Sequence, residues 1–104
     1  MIESQLFRAL ADPTRRAIYE RLSRRELNVS QLGDGLPVSQ PAISQHLSVL
    51  REAGLLAERR EGRFSFYRAE PSGLAPLIDW VERYRHFWPD RVEKLKAVLK
   101  EIEE

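Results

Sequence analysis

The sequence predicts a mainly α-helical fold carrying one small β-hairpin, and three observations lead to that expectation. Apolar residues recur at helical spacing through most of the chain, one pair of alternating runs flanks Glu61-Gly62, and 104 residues suffice for one compact core. The composition, 42% hydrophobic and 32% charged with five Gly and six Pro, is that of a folded globular domain rather than a disordered or collagen-like chain.

Ile2, Leu6, Phe7 and Leu10 mark a short amphipathic first helix that Asp12-Pro13 ends. The same pair opens the second helix, with Asp12 as N-cap and Pro13 at the first helical position, where a missing N–H is harmless. Ala17, Ile18 and Leu22 form its inward stripe, and Arg15, Arg16, Glu20 and Arg24 are expected in solvent. Asn28 to Leu36 reads as a short third helix with Asn28 and Gln31 spaced as a capping box, weakened by Gly33 and Gly35. Gly35-Leu36-Pro37-Val38 is a turn, because Pro37 moves Leu36 out of the helical region.

The fourth helix, Ser39 to Ala53, has well-specified ends. Ser39 is the N-cap, Val38 and Ile43 stand at staple positions, and Gly54 with Leu55 against Leu50 fits a Schellman stop. Leu55 to Arg60 and Arg63 to Ala69 then form the hairpin, with Phe64 and Phe66 alternating against Ser65 and Tyr67. From Pro71 onward, Leu74, Leu77, Val81, Tyr84, Trp88, Val92, Leu95, Leu99 and Ile102 follow in steps of three and four, a long helical seam that Pro89 must kink or break.

Helix, helix, short helix, turn, capped helix, hairpin and long helix together make the plan of a winged helix-turn-helix, in which the second helix of the motif enters the major groove. On the Ser39 to Ala53 helix, Ile43, Leu47 and Leu50 share the inward face, so Gln40, Ser44, Gln45 and Ser48 point outward. Neutral amides and hydroxyls are unusual on an exposed face in so charged a protein, and they suit base edges: Gln pairs with adenine N6 and N7, Ser donates or accepts. Gln40 lies in the first turn, where free N–H groups favour a phosphate. His46 sits at the border of the buried stripe, where a structural histidine and a DNA contact are equally consistent with its position.

Arg60 and Arg63 flank the hairpin turn and can reach phosphates or a minor groove, although charges there also guard an edge strand. Arg51 suits a phosphate contact or an intramolecular ion pair. The charge distribution agrees: residues 1–69 hold 11 Arg and eight acids, net +3, whereas residues 70–104 are net −2. Trp80, Tyr84, Phe87 and Trp88 concentrate aromatic surface near the C-terminus, which a symmetric dimer would bury together with Ile2, Leu6, Leu10, Leu77, Val81, Val92, Leu95 and Leu99. The expected division is one domain over 1–104, with a DNA-reading part at 12–69 and dimerisation helices at 2–11 and 71–104.

The segments DPTRRAIYERL, ELNVSQL, SQPAISQHLSVLREAGLL and EGRFSFYR together resemble the ArsR (arsenic-repressor) family of winged-helix regulators over nearly the whole chain. The resemblance implies a homodimer that represses promoters at inverted-repeat operators. DWVERYRHFW is similar to the branch without metal sites, whose members often control their own gene and a neighbour. Where many relatives carry a Glu-Leu-Cys-Val-Cys pattern, this chain has Glu26-Leu27-Asn28-Val29-Ser30, and Asn and Ser do not replace thiolates toward soft metals. The family's other metal site, on the last helix, finds only Asp79 and His86 here, without a second His.

No cofactor or metal is therefore expected, and the absence of cysteine excludes disulfides and thiol chemistry. No Gly-rich phosphate loop, nucleophile motif or His-carboxylate cluster points to an enzyme. MIESQLFRAL lacks the charged-then-apolar pattern of a signal peptide and no apolar run reaches membrane length, which predicts a cytoplasmic protein. Two alternatives stand beside a DNA-binding repressor: a regulator that answers to a small molecule, and a protein-binding dimer without DNA activity.

Overall fold

The computed structural model describes the backbone of residues 2–85 and 89–103 and the side chains of residues 4–85 and 93–102. Helices α1 (Ile2–Ala11) and α2 (Pro13–Arg24) lead into a two-residue strand β1 (Leu27–Asn28), then α3 (Val29–Gly33) and α4 (Gln40–Glu52). Strands β2 (Leu56–Glu61) and β3 (Phe64–Ala69) follow, then a 3₁₀ turn at Pro71–Leu74, α5 (Ala75–Tyr84) and α6 (Pro89–Glu103). The hairpin is thus part of a three-stranded antiparallel sheet in the order β1-β3-β2, with Leu27 opposite Tyr67 and Glu58 opposite Tyr67 on the other side. Strand β1 escapes sequence reading because two residues carry no periodicity.

The helix ends follow the side chains that the sequence supplies. Asp12 accepts from the backbone N–H of Thr14 at 2.8 Å and Arg15 at 3.1 Å, and the Arg15 amide above all holds the Asp12 carboxyl below its ordinary range. Asn28 and Gln31 form both halves of the capping box, at 2.8 and 2.9 Å. Helix α3 ends at Gly33, short of the expected Leu36, because Asp34 is extended and Gly33 and Gly35 propagate a helix poorly. At the end of α4 the Schellman pattern is complete: Leu55 N–H reaches Leu50 O and Gly54 N–H reaches Arg51 O, both at 3.0 Å, with Gly54 at φ 80°.

The core lies where α4 crosses the other elements. Ile43, Leu47 and Leu50 of α4 pack with Ile18 and Leu22 of α2, Leu32 of α3, Leu55 just before β2 and Leu56 at its start, and Leu6 and Ala9 of α1. Leu6 is 0% exposed and belongs to this core, so it is not available to a second subunit; helical spacing alone could not separate it from its surface neighbours. Tyr67 and Ala69 face inward from β3, whereas Phe66 lies on the opposite face beneath the Arg59 guanidinium, 4.9 Å from the ring centre.

Arginines hold the elements together. The α2 side chains of Arg15 and Arg16 donate to the α1 carbonyls of Ala9 (2.7 Å), Arg8 (2.9 Å) and Leu10 (2.7 Å), and Arg21 donates to Leu32 O (3.1 Å) and Asp34 O (2.6 Å) beyond α3. The expectation that Arg15 points into solvent is therefore corrected, since the helix-end carbonyls draw it inward. In the hairpin, Arg59 bridges Glu26 at 2.6 Å and Glu61 at 2.8 Å, while Arg51 of α4 pairs with Glu58 of β2 at 3.1 Å. Both carboxyls are held below their usual range, Glu26 by the Arg59 hydrogen bonds and Glu58 by the Tyr67 hydroxyl first, then Ser65 and Arg51.

The expected long last helix is two helices, α5 and α6, the second opening at Pro89. Trp88, together with His86 and Phe87, lies outside the described residues, as do the side chains of Ile2 and Val92. No helix among the described residues is long and apolar enough to cross a membrane.

The 3₁₀ turn docks on α4 backbone to backbone: Glu70 N–H reaches Leu55 O at 2.8 Å, and a β-carbon on Gly73 would overlap the Gly54 carbonyl. Gly73→Ala is expected to lower unfolding free energy by about 1–3 kcal/mol, because backbone rather than a flexible side chain must give way. Gly62→Ala meets no neighbour, yet at φ 61° backbone strain alone should cost it more than about 1 kcal/mol. Urea unfolding checks both losses, and a Gly73→Ala variant as stable as the parent would contradict the backbone contact.

A second expectation concerns acid. The charged forms of Asp12, Glu26 and Glu58 gain partners on folding, so their folded pKa values lie below their unfolded ones. Their stabilisation is present above the unfolded values and is lost as pH falls through the folded ones. Stability should be level from about pH 7 to 5 and decline below about pH 4. Asp12→Asn keeps a good cap but removes one titrating group, and its decline should be shallower. Coincident wild-type and variant curves down to pH 3 would contradict this assignment.

Candidate nucleic-acid interface

One surface of the molecule collects the outward face of α4 and the tip of the β2-β3 wing. Ser39 caps α4 by accepting from the Ala42 N–H at 3.3 Å, and Ile43, Leu47 and Leu50 are buried, which fixes the rotation of the helix about its axis. That rotation leaves Gln40, Ser44, Gln45 and Ser48 exposed, as the helical wheel requires. Among the described residues none of these four makes a side-chain hydrogen bond to the protein, so their amides and hydroxyls stand available to an external partner.

The wing turns on Gly62 and Arg63. Gly62 at φ 61° followed by a residue of negative φ is the II′ pattern that suits a two-residue hairpin. Strand β2 ends, and β3 begins, one residue later than the sequence suggested, so Glu61 pairs with Phe64 across the turn. Arg60 and Arg63 have no hydrogen-bond or ion-pair partner among the described residues, in contrast to Arg59, whose charge is held by Glu26 and Glu61. Arg51 takes the intramolecular one of its two expected roles: its guanidinium turns back to Glu58 and joins the end of α4 to the wing. The Arg59–Glu61 pair was accessible from the sequence, since residues two apart on a strand share a face, but Glu26 lies 33 positions away and gave no signal.

Between wing and helix lies an open cleft of about 370 Å³ lined by Asn28, Val29, Ser30, Gln40, Arg63, Phe64, Ser65 and Tyr67. Its lining offers hydrogen-bonding groups and one free cation, Arg63, beside the apolar side chains of Val29 and Phe64. Phe64 at the wing tip is 60% exposed, which strand alternation alone does not reveal. His46, half-buried, faces α2 and lies 3.4 Å through Nδ1 from Arg15 Nη1. Among the described residues no group of three or more His, Cys, Asp or Glu side chains could hold a metal ion; Asp79 is exposed, and His86 lies outside them.

A second surface is apolar. Phe7 of α1 meets Trp80 of α5 edge-on at 5.8 Å, and Trp80 meets Tyr84 at 5.0 Å, yet these rings remain about 40% exposed. Ile78 and Val81 extend the patch, and on α6 Leu95, Val98, Leu99 and Ile102 are each at least 49% exposed. Leu10 and Leu77 are half-buried and pack on the protomer core at its margin.

Comparison with known proteins agrees with this geometry. A family model described as a helix-turn-helix domain matches residues 10–59. The chain is 49% identical to the HTH-type transcriptional regulator Rv2034 of Mycobacterium tuberculosis over 75% of this chain and 73% of that protein. It is 39% identical to the arsenical resistance operon repressor of Escherichia coli over 98% of this chain and 86% of that one. Among solved structures, an ArsR-like transcriptional regulator from Rhodococcus sp. RHA1 superposes with a TM-score of 0.73 at 34% identity, covering 93% of this chain and 92% of its own. A mainly helical fold with a winged hairpin, an exposed recognition helix and this degree of identity place the chain in the ArsR family of winged helix-turn-helix transcriptional regulators, a family of DNA-binding regulators rather than enzymes.

Proposed function

We propose that the chain represses transcription as a homodimer on a pseudo-palindromic operator, with α4 in the major groove and the wing over the adjacent backbone and minor groove. The observation that carries this reading is the neutral face of Gln40, Ser44, Gln45 and Ser48 standing beside the two unpaired arginines of the wing, Arg60 and Arg63. Amides and hydroxyls read base edges, and free guanidinium groups displace counterions from phosphates. The DNA-reading part is 12–69. The flanking helices at 2–11 and 71–104 supply the dimer surface through Trp80, Val81, Tyr84, Leu95 and Leu99, with Leu10 and Leu77 at its edge.

A two-fold dimer sets the two recognition helices about 34–36 Å apart, one turn of B-DNA. Arg51 supports the wing in this arrangement rather than contacting bases. The missing thiolates at Asn28 and Ser30 leave no soft-metal response through that segment.

Selection of bound duplexes from a random pool should return an inverted repeat, bound with nanomolar affinity that falls steeply with salt. Gln45→Ala should weaken binding by about 1–3 kcal/mol and relax one base position in each half-site. Arg63→Ala should weaken operator and scrambled duplexes alike and reduce the salt slope by about one. A selected motif unchanged by Gln45→Ala would remove α4 from the reading role.

The dimer has its own check. Val81→Asp places a charge in the exposed apolar patch, and sedimentation at micromolar concentration should then show monomers that retain the far-ultraviolet spectrum of the fold. Operator affinity should fall by about a hundredfold, as expected when one of two linked half-site contacts is lost. Monomers that hold the operator as tightly as the parent protein would refute the dimeric mode.

A further inference from the structure

His46 is the α4 residue whose helical position leaves its role undetermined, and its neighbour across the helix interface is Arg15. The Arg15 side chain is only 16% exposed and is fixed at several points. Nε donates to Ala9 O at 2.7 Å, Nη2 donates to Arg8 O at 2.9 Å, and Nη1 lies 3.9 Å from Asp12 Oδ2. A guanidinium anchored in this way cannot swing aside, and Nη1 stands 3.4 Å from His46 Nδ1.

A guanidinium carries donors only, so the imidazole nitrogen facing it accepts and the ring proton of the neutral side chain resides on Nε2. The two ring nitrogens point to different sides of the imidazole. Nε2–H is therefore directed away from Arg15, and no hydrogen bond joins it to any described residue.

We infer that Arg15 is a positioning residue that holds His46 in the Nε2–H tautomer, making His46 an obligate hydrogen-bond donor from α4 to an acceptor on DNA. The acceptor is a phosphate oxygen or a base-edge atom such as guanine O6, guanine N7 or thymine O4. The inference rests on α4 being the reading helix, but the tautomer itself is a property of the free protein. Because the same guanidinium caps the last turn of α1, the donor on the recognition helix is set by the end of the helix that carries Phe7.

The experiment has two arms. Long-range ¹H–¹⁵N spectra of the free full-length protein at about pH 8.5, above the usual histidine titration range, should show His46 Nδ1 unprotonated and Nε2 protonated. Arg15→Met should move the ring toward a mixture of tautomers, with a thermal melt recording whether that variant is folded. In the second arm, His46→Gln keeps an amide donor near the Nε2 position, whereas His46→Asn places one only near Nδ1. His46→Gln should bind the operator within about threefold of the parent and His46→Asn about tenfold more weakly, the loss of one hydrogen bond to DNA.

A loss shared by operator and scrambled duplexes identifies a phosphate acceptor, and a loss confined to the operator identifies a base edge. An Nδ1–H tautomer in the free protein, or His46→Asn binding as tightly as the parent while Gln45→Ala is impaired, overturns the inference. If Gln45→Ala and both His46 variants all bind like the parent, it is the reading role of α4 that fails.

Discussion

Three guanidinium groups on α2 determine how the neighbouring helices end. Helices α1 and α3, ten and five residues long, are too short to be stable by propensity, and each leaves terminal carbonyls without an intrahelical partner. Arg15 and Arg16 satisfy those of α1, and Arg21 bridges two carbonyls at the end of α3. With both flanking helices fixed to α2, Ile18 and Leu22 can present a defined surface against which α4 rotates into one setting. The exposed Gln and Ser residues of α4 are a consequence of that setting as much as of their own identity.

The wing applies the same chemistry to a different end. Of the arginines from 51 to 63, Arg51 and Arg59 are tied to carboxylates of the protein, and Arg60 and Arg63 are not. Exposed ion pairs contribute little to stability, so the value of these two lies in orientation. Arg51 and Glu58 bridge α4 and the wing, and Arg59 joins the wing to Glu26 just before β1. The free cations thus stand at the tip, beyond the paired ones.

Much of this was legible in the sequence because it is local. The N-caps at Asp12, Asn28 and Ser39, the Schellman stop at Gly54 and the inward stripe of α4 are all set by residues within one or two turns of each other. What the sequence did not disclose is non-local or too brief: the two-residue strand β1, the Glu26–Arg59 bridge, and the inward turn of Arg15 toward carbonyls six and seven positions earlier. Leu6 and Trp80 show the limit most clearly. The sequence assigns both to one expected subunit interface, yet Leu6 is sealed in the protomer core while Trp80 remains 42% exposed, a difference made by which elements fold over them.

The contact between Gly73 and Gly54 has a mechanical consequence. At that point the arm leading into α5 rests directly on the terminal turn of α4, with no side chain between the two backbones and hence no rotamers to yield. Movement of that arm presses on the Gly54 turn with no yielding side chain in between, so the end of α4 and the approach to α5 are held at one fixed separation.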